Sequence, residues 1–228
     1  PPRALLVPRS NQRQQPPRFG DEVLRVERLN VKNADNFPVV RDVSFSIRAG
    51  EIFAIAGVSG NGQVEIADTI AGLTSAASGS IFLNGRDITQ ASVRERMLAG
   101  ISYIPEDRQN VGLVLDFDLA ENLVLKNYFQ EPFCRQGVLN YEEFDRYGQR
   151  LIEKYDIRAG QGVRTQARSM SGGNQQKAIV AREIELSSPL MIFVQPTRGL
   201  DIGAIENIQG QIIAERGRGR AVLLISLE

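Results

Sequence analysis

Glu51-Ile-Phe-Ala-Ile-Ala-Gly-Val-Ser-Gly-Asn-Gly-Gln-Val-Glu-Ile-Ala-Asp-Thr-Ile-Ala-Gly72 reads as a buried strand, a glycine-rich loop and a helix. Ile52 to Ala56 is a short apolar run, which predicts a parallel strand covered on both faces. Gly57, Gly60 and Gly62 then free the backbone to turn tightly and aim its N–H groups at an anion, with the positive end of the following helix behind them. A phosphate-binding loop is spelled G-x-x-x-x-G-K-S/T, and this chain supplies Gly57 and Gly62 followed by Gln63 and Val64. With 21 glycines in 228 residues, about two such glycine pairs arise by chance. The flanking strand and helix therefore carry the reading, and Ser59, Gly60, Asn61, Gly62 and Gln63 are the candidate phosphate contacts. A purely structural glycine turn is the alternative.

Composition narrows the chemistry. A chain of 228 residues can bury a proper core as one α/β domain with an inserted subdomain. Lys plus Arg equals Asp plus Glu at 27 each, so no basic excess argues for nucleic acid. One cysteine, Cys134, and no histidine exclude an internal disulfide, zinc sites of the Cys/His type and Ser–His or Cys–His catalysis. No apolar run approaches the ~20 residues of a spanning helix, and the N-terminus lacks a hydrophobic signal region. The expectation is a cytosolic chain that meets a membrane only through another protein.

Residues 1–20, with five prolines and four arginines, read as an interdomain linker, although Leu6-Val7-Pro8-Arg9 resembles a thrombin cleavage sequence. Val23 to Val31 is expected to be a strand, and Val43, Phe45 and Ile47 alternate with polar residues as in a strand with one wet face. Ser80 to Leu83, Asn84-Gly85 and Arg86 to Ile88 predict a hairpin with a primed turn. Ile101 to Ile104 is a buried strand stopped by Pro105. From Glu106 onward, charged residues mix with Leu, Tyr and Phe at helical spacing, predicting helices over Leu119–Phe129 and Tyr141–Tyr155. Tyr128, Phe129 and Phe133 are expected in the core of this part. A helix over Gln175–Leu186, strands over Leu190–Val194 and Ala221–Ile225, and a helix around Ala204–Glu215 complete the pattern. A strand at the end needs a covering element, so further chain is expected after Glu228.

The strand and glycine loop, the helical insertion, Ser171-Gly-Gly at a helix start, an apolar strand ending near Pro196-Thr197, and Gly199-Leu-Asp201 occur in one order and together resemble an ABC-type ATPase domain. That resemblance implies an α/β fold, a P-loop NTPase core over residues 21–228 with a helical subdomain at about 106–172 and an N-terminal antiparallel β region. Ser171-Gly-Gly-Asn-Gln-Gln-Lys177 and Gln195-Pro-Thr-Arg-Gly-Leu-Asp201 look like the second, C-terminal domain of sugar and nucleoside importers whose two ABC domains share one chain. Glu106-Asp-Arg108, Gly112-Leu-Val-Leu-Asp116, Pro132-Phe133 and Leu139-Asn140 look closer to the nucleoside importers.

Carried across residue by residue, the resemblance implies a silenced site. Gln63 stands where the phosphate-binding lysine belongs, and Val64 where a hydroxyl holds magnesium. Val194 replaces a metal-supporting aspartate, Gln195 the catalytic glutamate, Glu106 the γ-phosphate-sensing glutamine and Leu227 the switch histidine; Phe37 lies nearest the adenine-stacking position. No catalytic residue is then expected in cis. Ser171, Gly172, Gly173 and Asn174, with Asp201, match the part that acts on a partner's nucleotide. Since one lost preorganised donor costs ~2.7–4 kcal/mol, hydrolysis in this chain's own site is not expected. The implied cofactor is ATP, held weakly or not at all here and in trans at the partner site, with Mg²⁺ only at that site. The implied partners are another ABC domain in the same full-length chain and membrane permease subunits, without nucleic acid, at the cytoplasmic face of the cell membrane. The rival is a non-hydrolysing regulatory or assembly module in which only dimer contacts matter. Bland readings stand beside these roles: Ser171 as a helix cap, and Glu106-Asp107-Arg108 as a solvated charged turn or a transport-coupling hinge.

Overall fold

The computed structural model describes residues 19–58 and 60–226. The linker reading of residues 1–18, Ser59 of the loop and Leu227 fall outside the described residues. In chain order the elements are β1 (Glu22–Lys32), β2 (Pro38–Arg48), β3 (Ile52–Ala56), α1 (Gln63–Ala71), β4 (Ser78–Leu83), β5 (Arg86–Asp87), α2 (Val93–Ala99) and β6 (Ile101–Ile104). A π-helical turn at Arg108–Gly112 follows, then α3 (Leu119–Val124), the short strands β7 (Cys134–Arg135) and β8 (Val138–Leu139), and α4 (Tyr141–Lys154). The chain continues through α5 (Gly172–Glu185), β9 (Leu190–Val194), α6 (Ile202–Gly217) and β10 (Ala221–Ser226).

Two sheets organise the body: an antiparallel one in the order β2-β1-β4-β5 and a parallel one in the order β3-β10-β9-β6. β9 shows how the second is built. All five of its residues are buried, and they alternate between two cores. Leu190, Ile192 and Val194 pack toward α1 and the antiparallel sheet with Leu24, Ile47, Ile70 and Ile81. Met191 and Phe193 pack on the other side with Ile179 of α5 and Ile208 of α6, a core that runs on to Leu123 of α3 and Leu151 of α4. The ends of the parallel strands thus open where β6 leads into the helical part and β3 leads into the glycine loop.

The structure corrects four expectations. Among the described residues β3 is an edge strand that pairs with β10 alone, and Ala54 and Ala56 are exposed and Ile52, Phe53 and Ile55 only half-buried, not covered on both faces. α3 ends at Val124 because tertiary contacts claim the next residues: Lys126 pairs with the buried Glu183 at 3.0 Å, and Arg94 of α2 stacks over Phe129 at 4.2 Å. Tyr128 is 43% exposed, whereas Phe133 is buried against Phe144. α5 begins at Gly172, three residues before the expected start, because Ser171 caps it.

α2 is an α-helix without a counterpart in the sequence reading, as the β7–β8 hairpin is among the strands. Its capping box is complete: the Ser92 side chain accepts from the Glu95 N–H, and the Ser92 N–H donates to the Glu95 carboxylate at 2.7 Å. It carries Arg96 into the interior, where the guanidinium donates to the carbonyls of Thr69 and Ile70 at the end of α1 at 2.7 and 3.0 Å. There the cation meets the negative end of the helix, and burial lowers its pKa.

Candidate functional site

Two glycine turns, each leading from a loop into a helix, hold the candidate residues. The first follows β3. Gly60 and Gly62 take left-handed φ values of 88° and 92°, conformations that a Cβ disfavours. Gly62 is also the N-cap of α1, where a Cβ would stand 2.4 Å from the Val39 carbonyl oxygen, so β2 closes on the loop from one side. Gln63 closes it from the other. Its side chain is buried and folds back, the amide donating to the Val58 carbonyl at 3.4 Å. A Cβ on Gly57 would lie 2.2 Å from that amide nitrogen, so the amide already fills the space against Gly57. Asn61 is exposed and Val64 is half-buried against the first core.

The electrostatics around Asp68 on α1 are anionic. Asp68, one turn and a half along the helix, accepts the hydroxyl proton of Tyr103. Burial raises the Asp68 pKa, the Tyr103 hydrogen bond opposes that rise, and Glu65 and Glu106 add to it. Burial likewise pushes the Tyr103 hydroxyl upward. Val194 is fully buried at the end of β9, where it packs in the core. Gln195 follows in the left-handed region at φ 45°, its N–H donating to the Ile225 carbonyl at 2.9 Å and its amide to the Glu106 carboxylate at 2.9 Å. Phe37 is 67% exposed in the turn before β2. The Gln63 amide thus takes the space against Gly57, where the resemblance implies a lysine, and beyond it Gln195 and Arg198 both meet the Glu106 carboxylate.

The second turn is open. Ser171 is the N-cap of α5, its Oγ accepting from the Asn174 N–H at 3.4 Å and from the Asn174 side-chain amide at 2.9 Å. Asp201 caps α6 in the same way, accepting from the Ala204 N–H at 2.9 Å. The two helix starts face one polar cavity of about 320 Å³, lined by Ser171, Gly173, Asn174 and Asp201 together with Arg158 and Lys177. Asn174 also accepts from the Arg158 N–H at 2.8 Å, and Lys177 pairs with Asp156 at 3.0 Å. Two helix N-termini and the cations Arg158 and Lys177 thus share one cavity with the carboxylates Asp156 and Asp201, and the helix dipoles are its favourable feature for an anion.

The two glycines here answer to different constraints. A Cβ on Gly173 would come within 3.2 Å of the Ala204 Cβ, so α6 packing requires a small residue. Gly172 is helical, and a Cβ there would meet only the tip of the Arg108 side chain, at 3.4 Å. Sequence reasoning placed Ser171, Gly172, Gly173, Asn174 and Asp201, and the structure brings them together. It missed Arg158, which no motif marks, and Arg198, which lies inside a quoted motif without any sign of its partner.

A family model described as ABC transporter matches residues 40–198. The guanosine import ATP-binding protein NupO of Bacillus subtilis (strain 168) is 46% identical over 209 residues, 92% of this chain and 41% of that protein. The nucleoside import ATP-binding protein NupA of Lactococcus lactis subsp. cremoris (strain MG1363) is 45% identical over 208 residues, 91% and 41% of the two chains. The glucose import ATP-binding protein TsgD13 of Haloferax volcanii is 38% identical, 91% and 38% of the two chains. The chain thus spans about two fifths of the length of these relatives. Among solved structures, a dimeric bacterial ABC transporter cassette superposes with a TM-score of 0.75 at 18% identity, covering 90% of this chain and 88% of the other. A nucleotide-free ATP-binding cassette superposes with a TM-score of 0.74 at 21% identity, covering 90% and 81%. At these identities the structural likeness speaks for the fold.

Proposed function

The chain belongs to the ABC transporter family, as an ATP-binding domain, and we propose that it is the nucleotide-silent half of an import ATPase that works on ATP held by a partner ABC domain in the same full-length protein. The observation that carries this is Gly172. Its backbone is helical, and of the fold only the tip of the Arg108 side chain lies near the place its Cβ would take. A bare backbone at the first position of α5 lets a phosphate approach the N–H groups, the Ser171 hydroxyl and the helix dipole. The filled loop at Gln63 supports the other half of the reading: no ATP turnover in cis, and Mg²⁺ only at the partner site. Domain bounds follow suit, with residues 1–20 as linker and about 106–172 as the helical subdomain. The solute is a nucleoside or sugar, and nucleosides are favoured by relatives at 46% and 45% identity against 38% for the glucose importer. Membrane permease subunits would hold the assembly at the cytoplasmic face of the membrane.

Ser171 and Asp201 also have local duties as helix caps, which is what a pure assembly module would need. Gly172→Asp in the full-length two-domain protein separates the readings by placing a carboxylate beside the partner's triphosphate. ATP hydrolysis should fall by at least about 10²-fold, the scale of losing a preorganised donor, with folding retained. Unchanged hydrolysis would make this face a relic and leave the assembly module standing.

A further inference from the structure

A set of side chains links the silent loop region to the open turn. The Gln195 amide donates to Glu106 Oε1 at 2.9 Å, and Arg198 pairs with that same oxygen. Arg108 Nη1 donates to the Arg198 carbonyl at 2.7 Å. Arg108 Nη2 lies 3.4 Å from the place a Cβ on Gly172 would take, and 3.8 Å from that on Gly199. Glu106 and Arg108 follow β6, Gln195 and Arg198 follow β9, and Gly172 opens α5. The network therefore ties the ends of two sheet strands together and sets the Arg108 guanidinium beside the first turn of the helix that bears Ser171–Gly173, without a hydrogen bond to it. Gln195 keeps a left-handed backbone that a residue with a Cβ disfavours, and its side chain is held by Glu106 while it does so.

We propose that Glu106, Arg198 and Arg108 are positioning residues, a strut that sets Ser171–Gly173 for the partner's nucleotide without any nucleotide in this chain. The inference rests on the trans role proposed above. The carboxylate and amide are exchanged relative to the pattern the family resemblance implies: Glu106 stands for a glutamine and Gln195 for a glutamate. The amide that would leave hydrolysis without a base becomes a donor to the carboxylate, and Arg198 neutralises that carboxylate where no Mg²⁺ is needed. The Arg198 side chain is 61% exposed and that of Glu106 27%. The Arg198 end of the pair is open to solvent and contributes little to stability, whereas Glu106 also accepts from Gln195, so thermal unfolding is read beside turnover.

The test uses the full-length two-domain protein and reads ATP turnover, equilibrium binding of a fluorescent ATP analogue, and thermal unfolding. Glu106→Arg should lower turnover by about 10²-fold, the scale of a ~1 Å misplacement, with analogue affinity at the partner site and the unfolding temperature unchanged. Adding Arg198→Glu should restore most of the turnover, because the pair is re-formed in reverse and the Gln195 amide can present its oxygen. Arg108→Lys keeps the charge but loses the second arm, and should lower turnover without the charge clash. It decides the matter if Glu106→Arg fails to fold. Wild-type turnover in Arg108→Lys, or in Glu106→Arg, overturns the strut, and so does a reversed pair that rescues nothing. If Gly172→Asp also leaves turnover intact, the trans role itself has failed; if Gly172→Asp abolishes it while the strut variants do not, only the strut has.

Discussion

The turn after β3 and the turn before α5 use the same ingredients, glycines ahead of a helix N-terminus, to opposite ends. In the first, Gly60 and Gly62 are required by their left-handed backbone, and Gln63 and β2 fill what the glycines leave. In the second, Gly172 has ordinary helical geometry with only the Arg108 guanidinium near its Cβ position, and its neighbours Ser171 and Gly173 line a cavity that a second helix start also faces. Glycine content therefore says little about a binding loop. What matters is whether the absence of a Cβ serves the chain's own backbone or leaves room for something else.

The largest effect that this difference predicts concerns turnover. On the proposed reading, in which Gln63, Val64, Val194 and Gln195 stand where the resemblance implies the lysine, the metal ligands and the base, the purified chain should hydrolyse no Mg-ATP above background and bind ATP weakly or not at all in calorimetry. Each such loss alone costs about 10²–10³ in rate. Magnesium-dependent hydrolysis that disappears in Gln195→Ala would break the comparison at its root.

Alanine substitutions give the next, smaller effect, and with opposite signs. Gly62→Ala forces a Cβ to within 2.4 Å of a backbone carbonyl at φ 92°, and should destabilise the chain by about 1–3 kcal/mol in urea unfolding. Gly172→Ala enters a compatible helical position and should stabilise it by about 0.4–1 kcal/mol. A loss at Gly172 equal to that at Gly62 would mean that both turns serve the fold.

The fold class was legible because its main signals are local. Apolar runs marked β3, β6, β9 and β10, Asn84-Gly85 marked the hairpin through φ values of 49° and 78°, and Gly72 closed α1 at φ 86°. A run cannot report its neighbours, so β3 at the edge looked like a central strand. The capping box of α2 was there to be read at Ser92 and Glu95, but the burial of Arg96 against the end of α1 depends on residues 26 and 27 positions away. At the site, motif order brought Ser171 and Asp201 to one cavity. The bond from Gln195 to Glu106 spans 89 residues, and neither residue type announces the other.

The smallest effect sharpens the electrostatic side of the comparison. Asp68 lies on α1 behind the filled loop, and its pKa is raised, chiefly by burial. A carboxyl whose folded pKa is raised contributes stability below its unfolded value and loses it as the pH rises through the folded value. At neutral pH the charged Asp68 is therefore a cost. Asp68→Asn removes that cost while its side-chain oxygen still accepts from Tyr103. Because Asp68 is only half-buried and partly screened, the gain at pH 7 should stay under about 1 kcal/mol. It should shrink as the pH falls into the ordinary carboxylate range, where the wild-type residue is also neutral. A gain that persists unchanged into acid would point to packing instead, and a loss at every pH would mean that the Tyr103 hydrogen bond needs the carboxylate. The expected profile, measured as unfolding free energy against pH, would show that the charge of Asp68 on α1 is a cost at neutral pH and that burial is its source.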